Sequence, residues 1–462
     1  METMGWISLI PIVIAIALAL ITKNTVFSLT VACIIGCFLA GKGVWGFTDL
    51  LQSALGNGDF MWAALNILLF GVLVTYYEKS GAIDGFTRIV NGKNIKRRGV
   101  QVLSWALGLF CFADSMSPLF VGSVMRKLSD KAKISREKLA YIADTTAAPV
   151  GTIYPFTGWC SYLASLAVGF GCIANKDEGF RLMLSAIPFN FYGILSLVMV
   201  LLIAIGIIKD FGPMKKAELR AQNEGKLLRD GAVPLTSNAE MKPAPFKERV
   251  FLNFILPTVL LLVISIGAFI VIGSVKSLEA VAIVVILMSV SFLLQGMSLK
   301  ELNETFTEGV KGAMPALLVL AVAYPLNALS GEMGAANFII NSTKSFLVPA
   351  ILPAAIFLIC AVLAFATGTS WGTYAIMMPI ALPMAFNVTN NEASMFVALC
   401  FAAVVGGGLF GDHASPVSDT TIMSSMGAGS DHIDHVKTQL PYALVVASVA
   451  VVIYLVLGFV LA

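Results

Sequence analysis

Long uninterrupted apolar runs separated by short polar gaps set the pattern of this chain. The runs at 6–21, 25–40, 60–76, 183–208, 251–273, 278–295, 312–329 and 440–461 are each long enough, as helices, to cross a hydrocarbon core about 30 Å thick. Two stretches, 139–170 and 393–428, are too long for one straight helix, and each carries a polar, Gly- or Pro-bearing interruption, at 145–151 and 406–418. Each therefore predicts one broken helix, and the total comes to ten spans. No Lys or Arg precedes the first run, which argues against a cleaved signal peptide and keeps that run as a span.

Two further segments do not fit as ordinary spans. Residues 99–125 are apolar, yet Arg88, Lys93, Lys96, Arg97 and Arg98 precede them and Arg126, Lys127, Lys131, Lys133, Arg136 and Lys138 follow. Basic residues collect on the cytoplasmic side, so both ends are expected there. The segment then enters and leaves on one side as a re-entrant hairpin, with Asp114-Ser115-Met116-Ser117-Pro118 as its tip. The second, 347–386, has the tip Thr367-Gly368-Thr369-Ser370-Trp371-Gly372-Thr373 and only Lys344 and Glu392 at its flanks, and is expected to enter from the opposite side. Irregular backbone at that depth survives only where protein shields it or water reaches it, which makes both tips site candidates.

The two halves echo each other. Ser80-Gly81-Ala82-Ile83-Asp84 lines up with Met333-Gly334-Ala335-Ala336-Asn337, and Phe112-Ala113 with Ser117 lines up with Phe365-Ala366 with Ser370, at one constant offset. Ala147-Ala148-Pro149-Val150 then aligns with Ala414-Ser415-Pro416-Val417. Each half reads as three spans, a hairpin, a broken span and a last span, and an odd number of crossings inverts the second copy. The division expected is a first repeat at 1–208, a charged cytoplasmic linker at 209–249 forming a hydrated loop, and a second, inverted repeat at 250–462. Paired inverted repeats with broken elements near the midplane are the architecture of secondary transporters.

Composition agrees. Of the 462 residues 58% are hydrophobic and 12% charged, against about a quarter charged in a soluble domain, and mean hydropathy is +0.88. The expectation is an all-α polytopic membrane protein with about ten transmembrane helices plus two re-entrant hairpins, and not an enzyme. A net charge of +3 is too small to suggest a nucleic-acid partner. Cys33, Cys37, Cys111, Cys160, Cys172, Cys360 and Cys400 are scattered singly in apolar runs and read as buried thiols, not as a metal or redox set.

The polar breaks carry the candidate chemistry. They hold Asp114, Asp144, Asp412, His413 and Asp419, surrounded by Ser115, Ser117, Thr145, Thr146, Thr367, Thr369, Ser370, Ser415, Ser418, Thr420 and Thr421. Each Asp in a membrane costs about 2.5–3.5 kcal/mol on the insertion scale, and the sequence offers no buried Lys or Arg to pair with it. A bound cation, a proton or both would offset the charge. Hydroxyls and carbonyls freed at helix breaks are hard oxygen ligands suited to Na⁺, so Na⁺ is expected at Asp412, Asp419 and Asp114, with no resident cofactor. Structural roles compete: Asp144 as an interfacial carboxylate near Lys138, Asp114 as a helix cap, His413 as a donor to a neighbouring carbonyl.

The hairpin tip 367–373, together with Gly411-Asp412-His413-Ala414-Ser415-Pro416-Val417-Ser418-Asp419-Thr420-Thr421, resembles the paired signature of the NhaC family of sodium/proton antiporters, within a larger ion-transporter superfamily. The similarity of pattern runs along essentially the whole chain, Asp144-Thr145-Thr146 included. Ala414 stands where family motifs often have Cys. The resemblance implies a ten-span inverted-repeat fold with two hairpins, often dimeric, with a scaffold and a moving transport domain, and it implies Na⁺ coupling. It leaves the cargo open, because the family includes sodium/proton antiporters, a malate/lactate exchanger and amino-acid carriers.

The leading expectation is an antiporter of a bacterial inner membrane that exchanges Na⁺ for H⁺ by elevator-like alternating access. Na⁺ and H⁺ compete for Asp412 and Asp419, Asp114 and Asp144 form the quasi-symmetric half of the pocket, and His413 tunes the working pH as the only buried group titrating near neutrality. The alternative is a Na⁺-coupled carrier or exchanger of an amino acid or small organic acid held between the hairpin tips. A channel suits two inverted broken halves less well. Asp431-His432-Ile433-Asp434-His435 reads as a solvated polar loop before the last span more readily than as a metal or pH-sensing site.

Overall fold

Backbone amides in lipid have no water to bond, so the chain must satisfy them internally, and it does so with helices. A computed structural model describes residues 4–22, 24–43, 45–81, 95–110, 117–155, 157–234, 249–272, 276–335, 338, 348–416 and 418–462. Among these the only β-type pairing is one isolated bridge between Pro234 and Asp431.

The first half opens with α1 (Ile10–Thr22), α2 (Thr25–Leu39), the short α3 (Trp45–Leu55) and α4 (Gly58–Lys79). Next, α5 (Arg97–Phe110) and α6 (Ser117–Lys131) occupy the arms of the expected first hairpin; its tip, with Asp114 and Ser115, lies outside the described residues. The long stretch 139–170 folds as three pieces, α7 (Arg136–Thr145), α8 (Ala148–Ile153) and α9 (Gly158–Ala167). Then α10 (Lys176–Ala186) and α11 (Phe191–Ile205) cover the run 183–208, which reads as one straight span in the sequence. They meet at a 44° bend. Pro188 lies in a 3-10 turn there, and the Asn190 side chain accepts from the Gly193 N–H to start a new helix.

The linker, expected as a hydrated loop, begins as α12 (Gly212–Asn223), with Met214, Ala217, Glu218 and Ala221 buried. Charge pairing pulls it onto the bundle: Arg220 donates to Glu137 at 2.8 Å, Arg97 to Glu218, and Lys138 to Asp210. The second half follows as α13 (Leu256–Ile272), α14 (Ser277–Leu294), α15 (Leu299–Glu332), α16 (Leu352–Thr367), α17 (Ser370–Val388), α18 (Met395–Ala414), α19 (Asp419–Ala428) and α20 (His432–Leu461).

Six described helices are long and apolar enough to cross a membrane, and the bent α10–α11 pair makes a seventh. Of the other runs read as spans, 6–21, 25–40 and 139–170 fold as shorter pieces, α1, α2 and α7 to α9, whereas 312–329 lies within the 34-residue α15. At the centre lies α18, 89% buried, packed against α16 and α17, whereas the stretch Phe251–Ala268, which includes most of α13, and α20 are each 28% buried. Those outer helices expose many apolar side chains, Val259, Val263, Val449, Val452 and Val456 among them, as lipid contact requires. The chain is an all-helical, multi-pass membrane protein. Its halves interlock: α19 packs on α6 and α7, and Arg126 and Arg136 of the first half donate to the Met426, Gly427 and Ala428 carbonyls that end α19, where cations also suit the helix dipole.

Candidate functional site

Two glycines bring the hairpin tip and the break together. Gly368, at φ 71°, closes α16 in the left-handed conformation that a side chain resists, and Thr369 then caps α17 by accepting from the Gly372 N–H. On α18, a Cβ at Gly411 would lie 2.4 Å from the Phe365 nitrogen, so the two backbones touch where the polar residues begin. After Ala414, Ser415 and Pro416 interrupt the helix, and Ser418 opens α19 as its N-cap residue. The Ser415 hydroxyl donates to the Phe365 carbonyl at 2.7 Å, which ties the break to α16.

Asp412 sits in this corner, 2% exposed. Its two oxygens accept from different elements: Oδ2 from the Ser370 hydroxyl at 2.6 Å and Oδ1 from the Ser418 hydroxyl at 2.5 Å. Thr420 lies 3.0 Å from the Ser418 oxygen, and Thr421 donates to the Asp412 main-chain carbonyl at 3.4 Å. A buried carboxylate is tolerable only when so bonded. By contrast, the Thr367 hydroxyl bonds back to the Leu363 carbonyl of its own helix. The backbone of Asp419 begins α19; its side chain lies outside the described set.

The first-half residues meet this corner through His413. Its Nε2 is 3.0 Å from the Thr145 hydroxyl, which donates to the Tyr141 carbonyl, and its Nδ1 is 2.8 Å from the Tyr192 hydroxyl. That network assigns the ring hydrogen to Nε2. The imidazole bridges two hydroxyls and does not take the competing role of a donor to a carbonyl, and the Tyr141 ring stacks beside it at 6.3 Å. Thr146 turns away: its hydroxyl bonds the Ile142 carbonyl, and Gly108 of α5 lies directly against it. Ser117 is buried at the start of α6.

Asp144 is 1% exposed. Lys138 is itself buried, but it serves Asp210. The partners of Asp144 come from α20: Gln439 Nε2 donates to Oδ2 at 2.7 Å, and His435 Nε2 stands 3.4 Å away. The segment 431–435 is thus not a solvated loop. Asp431 N-caps α20 by accepting from the Ile433 and Asp434 amides, His435 is 0% exposed, and His432 Nε2 reaches the Pro416 carbonyl at 2.6 Å. His413 is therefore not the only buried imidazole. Gln439, His435 and Tyr192 escape the sequence reading, although His435 and Gln439 are four residues apart and so share a helix face.

Known proteins carry related patterns. The chain is 31% identical to an uncharacterized protein of Haemophilus influenzae across 98% of this chain and 91% of that one. Shorter alignments give 27% identity to the malate-2H⁺/Na⁺-lactate antiporter of Bacillus subtilis (36% of this chain, 34% of that one) and 29% to the arginine/ornithine antiporter ArcD of Halobacterium salinarum (35% and 33%). In fold the chain is similar to the YdaH transporter of Alcanivorax borkumensis, with a TM-score of 0.61 over 90% of this chain and 88% of that one at 12% identity. The pattern of the Na⁺/H⁺ antiporter family matches residues 150–459, hairpin tip and break included. The chain belongs to the Na⁺/H⁺ antiporter family, and it is a transporter and not an enzyme.

Proposed function

We propose that this antiporter exchanges Na⁺ for H⁺ at Asp412, by alternating access with an elevator-like movement of the hairpin α16–α17 and the broken helix α18–α19. The observation that carries this reading is the pair of hydroxyls on one buried carboxylate, Ser370 from the hairpin tip and Ser418 from the break. A hydroxyl has one hydrogen and two lone pairs. Ser370 and Ser418 can therefore steady the bare carboxylate and also lend oxygens to Na⁺, with Thr420 and the main-chain oxygens of the break completing a hard donor set. Na⁺ binds the deprotonated carboxylate and a proton displaces it, so one group exchanges the two ions without a second carrier. Because the hydroxyls belong to separate elements, occupancy ties tip to break, which an access change requires.

In this reading Asp419 supplies a second carboxylate at the head of α19, and Asp114, Ser115, Ser117, Asp144 and Thr145 form the first-half wall. A second reading, a Na⁺-coupled exchanger of an organic solute, draws on the similarity to a malate-2H⁺/Na⁺-lactate antiporter and an arginine/ornithine antiporter. It also draws on aromatic rings at the tip: Trp371 lies 4.6 Å from Trp159 and 4.4 Å from Tyr162, centroid to centroid. Everted vesicles separate the two. Added Na⁺ should collapse an imposed pH gradient in wild type and fail to do so in Asp412→Asn at equal protein level. A wild type that ignores Na⁺ alone but takes up Na⁺ with an amino acid or carboxylate would transfer the site to the second reading.

A further inference from the structure

We propose that Gln439 is a positioning residue that couples Asp144 of the first half to the helix break of the second. Its side chain is 1% exposed, and its Nε2 donates both to Asp144 Oδ2, at 2.7 Å, and to the His413 main-chain carbonyl. Both partners only accept, which fixes the amide with its nitrogen toward them. Gln439 Oε1 and Asp144 Oδ1 have no hydrogen-bond partner among the described residues.

The His413 carbonyl is free to be shared for a local reason. It lies in the last turn of α18, where carbonyls lose their intrahelical partners, and the chain breaks immediately afterwards at Ser415. One amide group thus serves a carboxylate from one half and a freed carbonyl from the other, one residue from Asp412. His435, a turn earlier on α20, spans the same joint at a different height: it approaches Asp144 and stands 3.1 Å from the Ser424 hydroxyl of α19. Of the two α20 side chains, Gln439 is the one bonded to α18. A shift of the break on ion binding therefore changes the support of Asp144, and loss of the Asp144 charge changes the hold on the break. This rests on the exchange reading at Asp412 only for its consequence in transport, not for the joint itself.

Two variants and two readouts test it in the full-length protein. Gln439→Leu fills the space without donors; Gln439→Glu keeps the length and removes the amide hydrogens. In everted vesicles both should raise the half-saturating Na⁺ for collapse of the pH gradient by about tenfold, the scale of one hydrogen bond to a charged group, with the maximal rate little changed. Gln439→Glu should recover as pH falls, because a protonated carboxyl there donates again to Asp144; the titratable groups around it are Asp144, His413 and His435, with the Tyr141 and Tyr192 phenols beyond. Wild-type half-saturation at neutral pH in either variant overturns the proposal. Hydrogen exchange at backbone 413–418 of purified protein reads the joint without transport: Asp144→Asn should speed exchange there about tenfold, and should add nothing in a Gln439→Leu background. Additive effects overturn the coupling whatever ion is carried, whereas a wild type silent to Na⁺ with the joint intact overturns the exchange reading alone.

Discussion

Ser370 and Thr146 carry the same functional group and are equally buried, and the structure gives them opposite work. Ser370 directs its hydrogen at Asp412, and Thr146 returns its own to Ile142 one turn back. Ser370→Ala should therefore weaken Na⁺ binding by roughly 10- to 100-fold, as expected when a buried charged acceptor loses a donor worth about 1.5–3 kcal/mol. Thr146→Val, nearly the same shape, should leave the affinity within about threefold. Sodium titration calorimetry on the two purified variants checks this, and equal losses would refute the distinction. The sequence marks both as hydroxyls beside a buried Asp and cannot rank them, because what disposes of Thr146 is Gly108 of α5 pressing on it from a helix formed elsewhere.

At the scale of elements, legibility follows locality. The tip at Gly368 and the break at Ser415-Pro416 are written in Gly and Pro, whose backbone restrictions act within a few residues, and these are readable. The bend at Asn190 hides in an apolar run, and α12 hides in a charged one, because its burial depends on Glu137, Arg97 and Lys138 arriving from the first half. Likewise His435 and Gln439 meet Asp144 across 291 and 295 residues of chain, a pairing that no local spacing announces. Gly411 shows how an element contact becomes a residue requirement. Gly411→Ala would push a methyl to 2.4 Å from both the Phe365 nitrogen and the Ala364 Cβ, and backbone cannot swing aside as a side chain can. A loss of about 1–3 kcal/mol, the usual scale of overpacking, should appear as a lower unfolding temperature in detergent; an unchanged temperature would mean that α16 and α18 have slack.

Across the whole molecule, the linker and the head of α20 are latched together: Asp431 accepts from the Val233 N–H at 2.9 Å, and Arg229 donates to Asp434 at 2.9 Å. Burial works against the Asp431 charge, but the Val233, Asp434 and Ile433 amides and Arg229 outweigh it and hold the carboxyl below the usual carboxylate range. A lowered pKa stabilises the fold above the unfolded value of about 3.9 and is lost only as pH falls through the folded one. The Asp431 side of the latch is therefore constant through the neutral range. Beyond the latch, α20 runs for 30 residues, of which the apolar run 440–461, about 33 Å at 1.5 Å per residue, matches a hydrocarbon layer of about 30 Å and leaves the polar head outside it. A thinner bilayer would favour a greater tilt of this helix, and a thicker one a smaller tilt. Because its first three turns carry His435 and Gln439 while its later turns expose Val449, Val452, Val456 and Phe459, a change in acyl-chain length would reach the site proposed at Asp412 through this helix. In liposomes of successively longer phosphatidylcholines, half-saturating Na⁺ should drift with chain length in wild type and stay flat in Gln439→Leu; a flat wild-type profile would show that lipid thickness stops at the outer turns of α20.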